Sequence, residues 1–358
     1  MQAISELFEQ TTILITRKSS PCPAGALPLV GHNLIVTPLD EPRGNGLLRK
    51  LHLLLWLPRH IRTLWKSIRK ADAVHALVPG DVGLIGICLS LLQKKKLFVR
   101  HCGTWGKPDT VFDHLTFWLL EKIANNRNIV FATGGGEKPP SPKNPNIKWI
   151  FSTTLTDKEI SEIKIAKPWR PDDPLRLVNV SRLSKGKNIK AVIEAMSALL
   201  DSGLDVYLDV VGDGEERENL EVLVNTLQIG NRVVFYGTIP HKDVLELLSK
   251  SHIFVFPTRV NEGFPKAVLE AMAAGLPIVS SNVSVLPYLV SSGCGVILQN
   301  TSPSSISHAI KDLIAEPKLI EDMGRIGNQA AKQYSLENWK LQIKNSLENQ
   351  WKIVLLYN

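Results

Sequence analysis

The chain has 358 residues, 44% hydrophobic and 21% charged, with a formal net charge of +8. That length accommodates two ordinary domains, each able to bury its own core, and the composition excludes disordered and fibrous classes. The charge is unevenly placed: 24 Lys and Arg stand against 13 Asp and Glu up to residue 170, and 18 against 21 after it. No apolar run reaches the length of a membrane span, and the start, MQAISELFEQ, lacks the basic-then-apolar order of a signal peptide, so a cytoplasmic chain is expected.

In chain order, "AISELFEQ" (3–10) reads as the tail of a helix feeding a strand "TTILIT" (11–16). No strand or glycine turn precedes that helix. The first βα unit is therefore expected to be missing, through truncation, a start codon assigned too late, or a domain with one strand fewer. Further strands are predicted at "HNLIVTP" (32–38), "AVHALV" (73–78), "KLFVRH" (96–101), "NIVFAT" (128–133) and "IKWIF" (147–151), with amphipathic stretches at 82–93 and 111–125. Alternation of strand and helix argues for parallel sheets covered by helices.

The basic excess lies partly in "LLRKLHLLLWLPRHIRTLWKSIRKA" (47–71) and "LLQKKKLFVRH" (91–101), where Lys and Arg mix with Leu and Trp. Two readings stand: contact with an anionic membrane surface or polyanionic substrate, or a helix with a solvated basic face. With few aromatics in apolar settings, nucleic acid is not expected as a partner. "GGGEKPPSPKNPN" (134–146) reads as a surface loop, since no helix follows closely enough to make it a phosphate cradle. The Pro-rich "AKPWRPDDP" (166–174) reads as the join, giving domains 1–170 and 171–340, with a final helix, 341–358, returning to the first domain. Cys22, Cys88, Cys102 and Cys294 have no metal-ligand spacing, so reduced, mostly structural thiols are expected and neither metal nor cofactor.

A second series of strands runs through "LRLVNVS" (175–181), "VYLDVVG" (206–212), "RVVFYG" (232–237), "IFVFP" (253–257), "PIVSS" (277–281) and "GVIL" (295–298). The stretch "TRVNEGFPKAVLEAMAAGLPIVSS" (258–281) poses a problem of its own, because its helix, expected over 265–274, is apolar nearly all round yet carries Glu270. A contact with Lys266, four residues earlier, would contribute only about 0.3 kcal/mol and could not offset burial of a carboxylate. A ligand diol or a buried polar network is expected instead.

Ligands in open parallel sheets bind at the carboxyl ends of strands. There the sequence offers Arg182 and Lys187 after one strand, "GDGEE" after the next, and Glu262, Gly263, Phe264 and Pro265 ahead of the Glu270 helix. Taken alone, Arg182 and Lys187 would be read as members of a solvated loop. Together, two cations, a helix N-terminus and two acids suit a diphosphate joined to sugars. A dinucleotide-dependent oxidoreductase is a poorer reading, since "GDGEER" carries only the first two glycines of G-x-G-x-x-G. A sugar-nucleotide epimerase stays open.

The second half resembles the C-terminal domain of glycosyltransferase family 4, with its two glutamates separated by seven residues in "EGFPKAVLEAMAAG" and with "NVSRLSKGKNIKAVIEAM", "VVGDGEERENL" and "VVFYGTIPHKDVLELLSKSHIFVFPT" in the family's order. The resemblance covers most of 175–340 and is weak before it. It implies the GT-B fold, two Rossmann-like α/β domains facing a cleft, and retaining transfer of a sugar from a nucleoside-diphosphate donor to a glycan or lipid-linked acceptor hydroxyl, in polysaccharide, lipopolysaccharide or glycolipid synthesis. It further implies that Arg182 and Lys187 bind the diphosphate without a metal, that Glu270 accepts from the ribose, and that Glu262 accepts from the donor sugar beside the N–H groups after Gly263. His101, in "VRHCGTWGKP", matches the family's histidine that touches donor sugar or acceptor. In "SNVSVLPYLV" the chain departs from the family, with Ser284 and Val285 in place of paired glycines and Tyr288 in place of an acid. The alternative is a non-catalytic nucleotide-sugar-binding protein or an inactive truncated transferase.

Overall fold

The computed structural model describes residues 2–17, 28–42, 44, 46–106 and 110–356, with backbone alone at 46, 47 and 50. Cys22, Lys107 and Pro108 lie outside the described residues. The chain divides into two compact units, one of residues 1–133, 138–150 and 340–358, the other of 134–137 and 151–339.

In the first unit α1 (Gln2–Ser5) leads into β1 (Thr11–Arg17), which pairs in parallel with β2 (Leu34–Asp40) as a two-stranded sheet. Then come α2 (Gly46–Lys70), β3 (Ala73–Val78), α3 (Asp81–Leu92), β4 (Lys96–His101), α4 (Val111–Ile123), β5 (Asn128–Thr133) and β6 (Ile147–Ile150). The strands β3 to β6 form a parallel sheet in sequence order. Every residue of β5 is buried, which accounts for its unbroken apolar run "IVFA": a strand covered on both faces has no polar side to show. The Thr110 hydroxyl and Asp113 carboxylate cap the start of α4 reciprocally. Trp56, Leu64 and Ile68 seat α2 against Leu39 and Leu89, and Trp56 Nε1 donates to the Asp40 carbonyl at 2.5 Å. No helix among the described residues is long and apolar enough to cross a membrane.

The second unit contains α5 (Asp157–Glu162), β7 (Leu175–Val180), α6 (Ile189–Asp201), β8 (Val206–Val211), α7 (Arg217–Thr226), β9 (Val233–Gly237), α8 (His241–Leu248) and β10 (Ile253–Phe256). It continues through α9 (Lys266–Ala273), β11 (Ile278–Ser281), α10 (Leu286–Val290), β12 (Gly295–Leu298), α11 (Pro303–Ala315) and α12 (Pro317–Ala331). The final helix, α13 (Leu336–Trp351), begins in this unit, and its residues from Lys340 onward count with the first. There Lys340 pairs with Glu6 at 2.9 Å and Trp351 Nε1 donates to the Arg127 carbonyl.

The segment 166–174 is packed rather than free: Trp169 is buried in the core under β7, and Leu155, Ile160, Ile163 and Ala166 are buried with α9. The change of unit therefore falls at 150/151, ahead of the proline-rich stretch. Prolines there fix a course over the domain surface, and composition alone could not distinguish that from a linker. Of the cysteines, Cys294 is buried, whereas Cys88 and Cys102 are exposed, so the expectation of structural thiols fits only the first.

The six strands of the second unit run parallel in the order β12–β11–β10–β7–β8–β9. The order reverses between β7 and β10, and at such a switch point the chain leaves adjacent strands in opposite directions, opening a crevice at their carboxyl ends. These two strands pair only at Ile253 with Leu177 and Phe254 with Val178. Beyond that register the fully buried Asn179 donates through Nδ2 to the Val255 carbonyl at 2.6 Å and accepts from Ser181 Oγ at 2.8 Å. A side chain here supplies the bond the ladder no longer makes. Replacing it by Asn179→Leu leaves the buried Val255 carbonyl without this donor and the partly buried Ser181 hydroxyl without its acceptor, and is expected to lower the stability of the second unit by about 1–3 kcal/mol, read from urea unfolding.

Candidate active site

Three loops meet at the carboxyl edge of this sheet. After β7, residues 181–188 lead into a 3₁₀ turn, Lys185–Lys187, that places Lys187 just before α6. After β8 comes Gly212-Asp213-Gly214. A Cβ on Gly212 would sit 1.9 Å from the Ser181 carbonyl oxygen, and one on Gly214 would sit 2.3 Å from that of Leu183. Glycine is required at both because the two loops run in backbone contact, with Leu183 N–H donating to the Asp213 carbonyl at 3.0 Å. After β10, the Arg259 N–H donates to the Gly186 carbonyl at 2.7 Å, tying the third loop to the first.

That tie brings Lys187 against Glu262. The ammonium donates to Glu262 Oε1 and lies 5.2 Å from the centre of the Phe256 ring, with side chains only 17% and 16% exposed. Thr258, fully buried two residues after β10, donates to the same carboxylate oxygen at 3.2 Å. The Ser281 hydroxyl holds the Thr258 carbonyl at 2.6 Å, and the Ser284 hydroxyl donates to the carbonyl of Glu262. Ser284 has a φ of +54°, in the left-handed region that favours glycine, so its hydroxyl bond stands where the family pattern has a residue without a side chain. Removing either charge of the Lys187–Glu262 pair would strand the other largely out of water, at a cost on the order of 3 kcal/mol.

Glu270 is 7% exposed on α9, as the all-round apolar helix led us to expect. Its partner is not Lys266. His241, the first residue of α8, donates from Nε2 to Glu270 Oε1 at 3.1 Å. This bond raises the histidine pKa above its ordinary 6.5, with partial burial opposing and the Glu270 and Glu159 charges assisting against that of Lys266. Sequence reasoning missed His241, although it opens the helix that follows the short loop after β9, where the carboxyl-edge rule points. Thr258 stands one residue beyond the expected strand and was missed for the same reason.

The other expected site residues are placed as follows. Arg182 is exposed in the loop after β7. The N–H groups of Gly263 and Phe264 have no hydrogen-bond partner among the described residues. The Phe264 ring is buried against Phe151 and Tyr334, with centroids 6.0 and 5.4 Å away, leaving only its backbone for a ligand. Pro265, which has no N–H, precedes the first residue of α9. Tyr288 packs against Gly135, where a Cβ would come within 2.8 Å of its ring. Burial, with Tyr288 beside it, pushes the Tyr334 phenol up to about 12. His101 belongs to the first unit, at the end of β4. It is buried edge-on to Trp105 and beside Phe117, and burial lowers its pKa. Its Nδ1 faces the Gly103 carbonyl at 3.2 Å. A carbonyl only accepts, so the proton of the neutral ring lies on Nδ1 and Nε2 is left with its lone pair.

The sign of the His241 effect follows from its raised pKa: the charge on the ring stabilises the fold fully below pH 6.5, and the benefit is lost as pH rises through the raised value. His241→Gln keeps a donor toward Glu270 but no titration. Thermal unfolding should find the variant less stable than the parent in acid, with the gap closing in alkali.

The family model "Glycosyl transferases group 1" matches residues 161–332. A GDP-mannose-dependent alpha-(1-6)-phosphatidylinositol dimannoside mannosyltransferase of Mycobacterium tuberculosis is 31% identical over 156 residues, 43% of this chain and 39% of that protein, so the match spans well under half of that relative's length. Alpha-D-kanosaminyltransferase of Streptomyces kanamyceticus is 27% identical over 288 residues, 75% of this chain and 74% of that one. Among solved structures, Anabaena HepE in complex with UDP and glucose superimposes with a TM-score of 0.66 at 18% identity, covering 88% of this chain and 87% of the other. The fold is GT-B, built from two Rossmann-like α/β units.

Proposed function

We propose that this chain, which belongs over residues 161–332 to the group 1 glycosyl transferases, moves a sugar from a nucleoside-diphosphate donor to an acceptor hydroxyl with retention at the anomeric carbon. The observation that carries the proposal is the Lys187–Glu262 pair, a cation and an acid largely withdrawn from water at the switch point of the parallel sheet. A donor that is both phosphate and sugar satisfies the two groups at once. Lys187, with exposed Arg182, turns to the diphosphate, while Glu262 accepts from a sugar hydroxyl beside the N–H groups of Gly263 and Phe264. The Glu270 carboxylate, one oxygen on His241, has its second available to a ribose diol. His101 Nε2 suits acceptance of a hydrogen bond from the donor sugar or acceptor.

The chemistry these residues can supply is electrostatic. Arg182, Lys187 and the amino end of α9 stabilise charge on the departing diphosphate, whose oxygen takes the acceptor proton on the same face from which the sugar leaves. The mannosyltransferase relative is named for GDP-mannose and the Anabaena structure contains UDP, so the donor class read across is a nucleoside-diphosphate sugar with its base left open. A glycolipid acceptor is read across from the name of the same mannosyltransferase relative.

Lys187→Ala and Glu262→Gln should each lower turnover by on the order of a hundredfold with donor saturating. Wild-type rates in both would sink the assignment. A panel of nucleotide sugars, followed by release of free nucleoside diphosphate with and without acceptors, tests the reaction itself. Acceptor-dependent release is the expected outcome, whereas donor-induced thermal stabilisation with no release would mark a binding protein.

A further inference from the structure

The helix α2 carries a second feature, unrelated to the donor site. Its inner face, Trp56, Leu64 and Ile68, is buried. Its outer face is a stripe stepping by three or four residues, so that its members stand in one row along the helix. The first part of the row is Leu48, Leu51 and Leu55, exposed by 63%, 62% and 67%, with Leu54 flanking at 69%. The second part is Arg59, Arg62, Lys66 and Arg69, all exposed, with half-open Trp65 alongside. The 25 residues of α2 include no Asp or Glu, and none of these four cations has an ion-pair partner among the described residues. The one arginine of the amino half, Arg49, is held away from the row by Asp81 at 2.7 Å.

Four leucines left in water on successive turns of one helix need a cover, and the cations continuing the same line narrow what it can be. We propose that the outer face of α2 docks on the surface of an anionic lipid bilayer, leucines sunk among the acyl chains at the amino end and Arg and Lys laid along the headgroup phosphates. Exposed apolar residues joined to an uninterrupted basic run are what an interfacial helix presents, and long basic side chains can reach the phosphates while the leucines go deeper. A second copy of the chain is a poorer cover. Packed parallel, the two rows would oppose cation to cation; packed antiparallel, each would set leucine against arginine. The inference goes beyond the transfer reading and does not rest on it, since α2 shares no residue with the proposed donor site.

The test is co-sedimentation of the full chain with vesicles of phosphatidylcholine alone or mixed with phosphatidylglycerol, at low and high salt. The parent should bind the mixed vesicles, lose that binding in high salt, and largely ignore the neutral ones. Leu51→Ser with Leu55→Ser, and separately Arg59→Glu with Arg62→Glu, should each weaken binding on the order of tenfold. Both variants alter exposed positions and should keep the parent's unfolding midpoint and its nucleotide release. Equal binding to neutral and anionic vesicles overturns the proposal, as does binding that neither pair affects. Light scattering that finds a dimer dissolved by the leucine pair, with no vesicle binding, would assign the face to a second copy and overturn it as well.

Discussion

The reversal of strand order between β7 and β10 is the constraint on which the rest of the second unit depends. The two strands share only two residue pairs before they part. Backbone groups beyond that point lose their ladder partners, and the buried amide of Asn179 takes up one of them. Because the strands separate, the loops that follow them are free to turn toward each other rather than continue over the sheet. Lys187 and Glu262, 75 positions apart in the chain, meet there for that reason. The glycines at 212 and 214 let a third loop close on the first from the other side, at distances no side chain would tolerate.

The two acids are handled in different ways, and the difference follows from what each stands on. Glu262 is on a loop, where a cation from a neighbouring loop and the hydroxyl of Thr258 converge on one oxygen, while Ser284 fixes its backbone. Glu270 is on a helix buried on most sides, and its relief comes from a histidine at the start of another helix. In both carboxylates the protein's donors gather on Oε1, and Oε2 has no protein donor among the described residues. Sites of this kind hold polar groups in place before the ligand arrives, so that little reorganisation is required when it does.

The first unit is ordered by different means. Its parallel strands β3 to β6 follow sequence order, and the buried His101 ends β4 among aromatic rings. Its α2 keeps one face for packing and leaves the other, leucines then cations, to solvent. Hydrophobic patterning here serves two ends on one helix. The inner row answers to the core of the unit, and the outer row stands in solvent.

Much of this was legible in the sequence because it is local. Among the described residues, all twelve strands fall within two residues of the expected runs, since period and β-branched content act over a handful of positions. The all-round apolar character of α9 correctly announced the burial of Glu270, and the order of residues after the strands pointed to the candidate loops. The sequence alone did not determine which partners those residues would find: His241 for Glu270 in place of Lys266, Glu262 for Lys187, Ser284 for a backbone carbonyl. Nor did it determine where one unit ends, because the packing of Trp169 and Leu155 decides that, not the prolines between. Such contacts depend on how strands are ordered in a sheet and how loops then close in space. They are long-range by nature, and only the tertiary structure decides them.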